Sequence, residues 1–337
     1  MNNNKLSIEE MKMISHEIID EEVKRTGINN NVFPLTFIEY YNNYIFKGKF
    51  SLIKKATYSV MPVISSGFND LDGDVIIFLD RINIVKRPYG KLFNLLRVCY
   101  HELRHSMQWN FDNYSYDKFL LDLDNYYKKF VDINDYYNNH DKYSFEIGAN
   151  IYSVDKASEY LFKKYPEIYN LEKENIKKLK KRYYNDYLMY DASFAFDRVF
   201  QTIKKNKMIF KENLYDNNPI LEIFLDDNLC FKRIDEIINN ELFNLLDNRI
   251  VSAIISSDSY LKELNIDNLS ISDLIFINKY LEYTYNLYNN QLMLLDKNNK
   301  DYKKLLKRYN NRINNIYKYI SISDVNKISG EQLFKKC

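Results

Sequence analysis

The chain has 337 residues, of which 46% are hydrophobic and 28% are charged, and this composition is that of a globular protein and not of a disordered one. Its 48 basic and 46 acidic residues leave a formal net charge of +2, which is too small for nucleic-acid binding through bulk charge. Only 7 glycines and 5 prolines are available for the turns of a many-stranded β-sandwich or barrel, so long helices are expected.

The cysteines and the N-terminus indicate a reducing compartment. Cys99, Cys230 and Cys337 are widely spaced and form no CxxC pair, so no disulfide framework is predicted. The first residues are polar, unlike the apolar core of a secretory leader, and no apolar run approaches the ~18 residues that span a bilayer. We therefore expect a soluble, cytoplasmic protein without a membrane partner.

Two helices are predicted near the N-terminus. Ser7 and Glu10 form a capping-box pattern, apolar residues then recur at helical spacing, and Gly27 marks the end of the first helix. His16 lies on the polar side of this helix, where a lone histidine is expected at the surface. A second, aromatic helix is predicted over residues 35–46.

A short antiparallel hairpin is the only β-structure predicted. Residues 58–64 and 75–79 form its strands, and the turn-forming residues 69–73 separate them. Asp80 and Arg81 are expected to close the second strand.

Helices are predicted throughout the rest of the chain. The most regular covers residues 91–108, and its apolar residues recur every three or four positions: Leu92, Leu95, Leu96, Cys99, Leu103 and Met107. Further helices are predicted over residues 116–130, 143–162, 171–190, 234–255, 271–288 and 301–320. The predicted fold class is therefore α+β and predominantly helical. Tyr165 and Pro166 mark the expected boundary between a domain over 1–165 and an irregular helical domain of unknown role over 166–337.

The segment His101-Glu102-Leu103-Arg104-His105 is an HExxH motif on the predicted helix. Residues four apart share a helix face with Cβ atoms roughly 6 Å apart, so both imidazoles can bind one Zn²⁺ ion at about 2.0–2.1 Å. Glu102 is placed to accept a proton from a metal-activated water and to pass it to a leaving amine. The alternative is a metal-free pair of histidines bridged to carboxylates or carbonyls.

A catalytic zinc site needs a third protein ligand. The further histidine of metzincins is absent, because Gln108 and Phe111 occupy its motif positions. Glu146 follows the second histidine by 41 residues and opens a predicted helix that contains the small residue Gly148, so we predict Glu146 as the third ligand. A plain acid favoured at a helix N-terminus remains the alternative for Glu146, and Glu159 is the next candidate ligand.

On this pattern the chain from His101 to Phe162, with the strand before it, resembles the gluzincin metallopeptidases, thermolysin-like zincins with two histidine ligands and one glutamate. The resemblance implies a zincin-like domain over residues 1–165, with a small antiparallel sheet and an active-site helix. It also implies that residues 75–80 form an edge strand that pairs with an extended substrate.

The resemblance implies roles for three further residues. Gluzincins place an acid four residues after the ligand glutamate, where it hydrogen-bonds a zinc histidine. That position is Asn150 here, and an amide raises the basicity of the imidazole less than a carboxylate does. Gluzincins also use a tyrosine or histidine to stabilise the oxyanion, for which His140 and Tyr143 are nearest in sequence. An exposed loop histidine and an ordinary core tyrosine are the alternatives for these two.

Two functions of different classes follow. The first is a zinc-dependent metallopeptidase that hydrolyses peptide bonds in a peptide or protein substrate, with Glu102 as general base. The alternative is a catalytically weak or inactive zincin-fold protein that binds one protein partner in a regulatory role, which the amide at Asn150 favours. Nucleic-acid binding through the basic run 178–182 is not expected, because such a run is usually a solvated helix face.

Overall fold

The computed structural model describes residues 6–28, 32–40, 67–69, 75–84, 86–108, 110–128, 139–205, 219–264, 269–295, 297 and 300–319. Over these residues the chain is mostly helical with one small sheet, as the sequence predicts. Among the helices they form, none combines the length and the apolar character needed to cross a bilayer.

The chain divides into two compact units, each built from two separate stretches of sequence. The first unit comprises residues 1–110 and 145–187, and the second comprises 111–144 and 188–337. This division differs from the predicted domains 1–165 and 166–337. Pro166 does not act as a linker, because it is the first residue of a long helix, where its fixed φ and its missing N–H are both tolerated.

The first unit contains the sheet and the predicted helix with the most regular apolar stripe. Its elements are α1 (Ile8–Thr26), β1 (Val32–Leu35), α2 (Phe37–Tyr40), β2 (Gly67–Asn69), β3 (Val75–Phe78), α3 (Leu79–Ile84), α4 (Lys91–Gln108), α6 (Ser144–Lys164) and α7 (Pro166–Leu188). The first helix forms as predicted: Ser7 and Glu10 make both hydrogen bonds of the capping box, and Gly27 ends it in the left-handed conformation with φ 71°. His16 is exposed on this helix.

The three strands form a mixed sheet in the order β1–β3–β2. β1 runs parallel to β3, with Val32 opposite Val75, and β2 runs antiparallel to β3, with Phe68 opposite Ile76. The prediction of a purely antiparallel sheet is therefore wrong. The prediction that β3 is an edge strand is also wrong, since β3 is paired on both sides; all four of its residues are buried, as in a central strand.

Two further local predictions need correction. The predicted helix 35–46 is preceded by β1, which ends at Leu35, and α2 covers only Phe37–Tyr40 of it, while residues 41–46 lie outside the described part. Asp80 and Arg81 do not close a strand, because they lie in the first turn of α3. The predicted strand 58–64 lies outside the described residues.

The core of the first unit forms where α4 packs against α1 and the sheet. The predicted apolar stripe faces this core, with Leu92, Leu95, Leu96, Cys99 and Leu103 fully buried. The helix has the predicted bounds. Its start is held by the buried carboxylate of Glu172 on α7, which accepts a hydrogen bond from the Gly90 N–H at 2.8 Å. The charged residues of the run 178–182 are exposed, as expected of a solvated helix face.

The second unit is helical over its described residues. Its elements are α5 (Tyr116–Lys128), a 3-10 turn (His140–Lys142), α8 (Ala192–Lys205), α9 (Pro219–Phe224), α10 (Ile234–Ile238), a second 3-10 turn (Phe243–Leu245), α11 (Asn248–Ile255), α12 (Asp258–Glu263), α13 (Ile271–Leu294) and α14 (Lys300–Tyr319). The helix predicted over 234–255 is broken into three pieces. Asn239 ends the first, and the Asp247 carboxylate caps the last by accepting from the Arg249 N–H.

Arg312 and Asp124 are buried charged residues of this unit. Arg312 on α14 is only 7% exposed and lies 3.4–3.5 Å from the carboxylates of Asp191, Asp197 and Asp258. Asp124 on α5 is fully buried, and burial raises its pKa to about 6, well above its ordinary value of 3.8. It accepts hydrogen bonds from the N–H and hydroxyl of Ser144 and from the Tyr190 hydroxyl, which oppose the shift only in part.

Candidate metal centre

Helix α4 brings His101 and His105 together on one face, as the four-residue spacing predicts. Their Nε2 atoms lie 3.1 Å apart, and the side chains are 17% and 13% exposed. The rest of α4 is fixed by its buried apolar stripe, so the direction of both imidazoles follows from the packing of the helix.

Glu146 lies in the first turn of α6 and meets both histidines. Its Oε2 atom lies 3.2 Å from Nε2 of His101, its Oε1 atom lies 3.3 Å from Nε2 of His105, and its side chain is 5% exposed. The predicted ligands thus form one group, with one ligand atom from each residue all within 4.8 Å of one another. Glu159, the other candidate, is exposed and pairs with Lys156 at 3.0 Å.

These separations fit a zinc ion. The ligand atoms of a tetrahedral site with bonds of 2.0–2.2 Å lie about 3.3–3.6 Å apart, as follows from its geometry. The Nε2–Nε2 and Nε2–carboxylate distances of 3.1–3.3 Å are close to those edges. Two imidazole nitrogens and a carboxylate are also the donor set that zinc prefers over calcium or magnesium.

Gln108 orients His105 from behind, a role that the sequence interpretation missed. The Oε1 atom of Gln108 lies 2.8 Å from Nδ1 of His105, and its Nε2–H donates to the carbonyl of Phe145 at 2.8 Å. Because the amide uses its N–H on that carbonyl, its oxygen faces the imidazole, and Nδ1 of His105 must be the donor. The lone pair of Nε2 is then directed towards Glu146.

With Nδ1 of His105 donating to Gln108, the Nε2 lone pair of His105 and the carboxylate of Glu146 face each other. A positive charge between them stabilises both groups. In the metal-free protein a proton supplies it: burial lowers the pKa of His105, but the carboxylates of Glu146 and Glu102 and the hydrogen bond to Gln108 outweigh burial and raise the pKa from 6.5 to about 9. A metal ion held by these three residues would take the place of that proton, and its binding would release the proton.

Glu102 has the position expected of a general base. It follows His101 directly on α4, it is only 7% exposed, and its charge is close enough to raise the pKa of His105. A buried carboxylate next to a predicted metal ligand is well placed to hold a proton without competition from bulk water.

The resemblance alone suggested roles for three further residues, Asn150, His140 and Tyr143. Asn150 makes no hydrogen bond to either histidine within the described residues; its Oδ1 accepts from Nη2 of Arg97 at 3.5 Å, and the orienting role for His105 belongs to Gln108. His140 opens a 3-10 turn, and Tyr143, 4% exposed, follows it. Both lie in the second unit, and their role as oxyanion donors stays a prediction.

No protein-family model, no curated protein and no solved structure matches this chain. Any function proposed for this chain therefore depends on its sequence motif and on the geometry of the site.

Proposed function

We propose that this chain is a zinc-dependent metallopeptidase of the gluzincin type, with His101, His105 and Glu146 as metal ligands. The observation that carries the proposal is the convergence of two Nε2 atoms and one carboxylate, at separations of 3.1–3.3 Å, from helices that the sequence predicts independently. A zincin-like fold for the first unit is part of the same proposal.

The chain's own residues then have distinct roles. A zinc ion, when bound, supplies a Lewis acid that polarises a carbonyl and lowers the pKa of water. Gln108 holds His105 with Nε2 towards that ion, and Glu102 takes a proton from the attacking water and returns it to the leaving amine. The proton thus stays on one carboxylate between the two halves of the reaction.

The sheet offers a place for an extended substrate. β3 is paired on both sides, but β2 is an edge strand of the sheet that the described residues form, and it contacts α4, which bears the proposed ligands. In this proposal a peptide adds to β2 through backbone hydrogen bonds and so brings its scissile bond alongside α4.

Metal analysis and two variants test the proposal. The purified protein is expected to bind about one zinc ion per chain, and His105→Ala to bind none, whereas His16→Ala, which removes an exposed histidine, serves as the matched control. Glu102→Gln is expected to keep zinc and to lower peptide hydrolysis by about 100- to 10,000-fold. A folded wild-type protein that takes up no zinc would contradict the proposal.

The regulatory alternative is favoured by one observation, the neutral Asn150 bonded to Arg97 in place of an acid bonded to a histidine. It predicts that the wild type binds zinc but cleaves no peptide, and that wild type and Glu102→Gln capture the same intact partner. Cleavage by the wild type alone would exclude it.

A further inference from the structure

Arg97 lies one helical turn before His101 on α4, next to the proposed metal centre. Its Nη1 donates to the hydroxyl of Tyr89, and its Nη2 donates to the hydroxyl of Tyr183 at 2.9 Å and to Oδ1 of Asn150 at 3.5 Å. Both tyrosine rings also face the guanidinium, each with its centroid 5.5 Å from Cζ. Asn150 itself lies one turn after Glu146 on α6, so Arg97 is in the same space between the two helices.

The positive charge of Arg97 has no carboxylate partner in the part of the chain that the structure describes. Its hydrogen-bond acceptors are two phenol oxygens and an amide oxygen, all neutral, and its buried Nε–H has no acceptor. The buried carboxylate of Glu172 nearby in the fold accepts instead from Gly90 and Asn175. Because half-buried arginines are normally paired with acids, the site holds a charge that a bound anion would compensate.

The charges of the metal centre do not compensate it either. A zinc ion carries two positive charges, which the carboxylates of Glu102 and Glu146 balance, so the loaded metal centre leaves no negative charge over to pair with Arg97. The side chains of His101 and His105 are 17% and 13% exposed, so solvent reaches this side of the helix.

We propose that Arg97 binds a carboxylate of the peptide substrate; the inference rests on the proposed metallopeptidase function. Four residues of helix rise about 6 Å, which is close to the length of two extended peptide residues. The recognised carboxylate therefore lies one or two residues from the scissile bond, either as an acidic side chain or as the free C-terminus.

Zinc-chelating peptide probes test this on the full-length, zinc-loaded protein. Two pairs of short peptide hydroxamates are used, one pair differing only in a glutamate or glutamine side chain and the other only in a free or amidated C-terminus. The dissociation constants are measured by calorimetry. In at least one pair the carboxylate member is expected to bind about tenfold more tightly than its neutral partner, and that pair identifies the source of the carboxylate.

Arg97 variants assign the preference. Arg97→Met is expected to abolish it, Arg97→Lys to keep part of it because the charge remains without the planar fork, and Arg104→Met to leave it unchanged. Arg104 is a matched control, since it lies on the same helix with its guanidinium over a tyrosine ring, that of Tyr152, at 5.4 Å. If Arg97→Met does not fold, the affinity difference within each peptide pair, measured for the wild type and for Arg97→Lys, tests the assignment.

The outcomes separate the two proposals. Zinc and hydroxamate binding with equal affinities inside both pairs would overturn the carboxylate site alone and assign Arg97 a structural role. A preference that survives in Arg97→Met, or that Arg104→Met removes equally, would also overturn it. A protein that takes up no zinc contradicts the metallopeptidase and this inference together.

Discussion

Replacing Gln108 by leucine tests the geometry of the metal centre most directly. The substitution keeps the size of a buried side chain, 4% exposed, but removes two hydrogen bonds of 2.8 Å, to Nδ1 of His105 and to the Phe145 carbonyl. Loss of an orienting partner lowers metal affinity by about 10- to 100-fold, or about 1.4–2.7 kcal/mol. The two groups left unpaired lower the free energy of unfolding by a further ~1–3 kcal/mol each.

The variant Gln108→Glu tests the two hydrogen bonds of Gln108 separately. The carboxylate still accepts from Nδ1 of His105 and raises the basicity of the imidazole, but it has no N–H for the Phe145 carbonyl. We therefore expect Gln108→Glu to bind zinc at least as tightly as the wild type while unfolding more easily. Gln201→Leu is the control, because it removes a glutamine that donates to Ser259 in the second unit.

The measurements are zinc affinity, by competition with a chromophoric chelator, and unfolding in denaturant. The expected order of zinc affinity places Gln108→Leu below the wild type and below Gln201→Leu. If Gln108→Leu binds zinc with wild-type affinity, then Gln108 does not orient His105 and the assigned role is refuted.

Three further outcomes follow from buried groups. Because the pKa of Asp124 is raised to about 6 in the fold, its ionisation opposes folding. The free energy of unfolding of the wild type, relative to that of Asp124→Asn, is therefore expected to fall by about 3 kcal/mol between about pH 4 and pH 7. A difference between the two proteins in urea unfolding that stays constant with pH would contradict this. Burial raises the pKa of Cys99 to about 12, so mass mapping after brief alkylation of the native protein should find Cys230, which is exposed, modified and Cys99 intact. Arg312→Met leaves three carboxylates without their shared cation and is expected to destabilise the second unit by about 3–5 kcal/mol, whereas Lys307→Met on the same helix should change thermal unfolding little.

The part of the site that depends on local spacing could be predicted from the sequence. The bounds of α4 and the shared face of His101 and His105 follow from an apolar stripe and a four-residue interval. Glu146 is distant in sequence, but it opens a predicted helix that contains Gly148. A Cβ at Gly148 would stand 3.7 Å from the Gln108 amide, which is an ordinary van der Waals contact, so the approach of this helix does not depend on the glycine. Local spacing did not show that α6 is the helix that meets α4, and this pairing had to be inferred.

The features that were missed depend on long-range contacts. β1 has four residues and contains Pro34, and it becomes a strand only by pairing with β3, more than 40 residues later. Nothing in the pattern around Gln108 shows that its amide meets the Phe145 carbonyl, although it lies one turn from His105. Tyr165 and Pro166 resemble a linker because the sequence does not show that α7 contributes Ile168 and Ile176 to the first core.

The interleaving of the two units has a consequence for synthesis. Residues 111–144 leave the ribosome before the first unit is complete, yet they belong with residues from 188 onward that are made later. The first unit is complete once residue 187 has been made and can fold then, whereas residues 111–144 must wait for partners that are made later, unlike the segments of tandem domains. During elongation the pair His101 and His105 emerges well before Glu146, so under the proposed function a metal ion captured early would be held by two imidazoles alone until the start of α6 arrives.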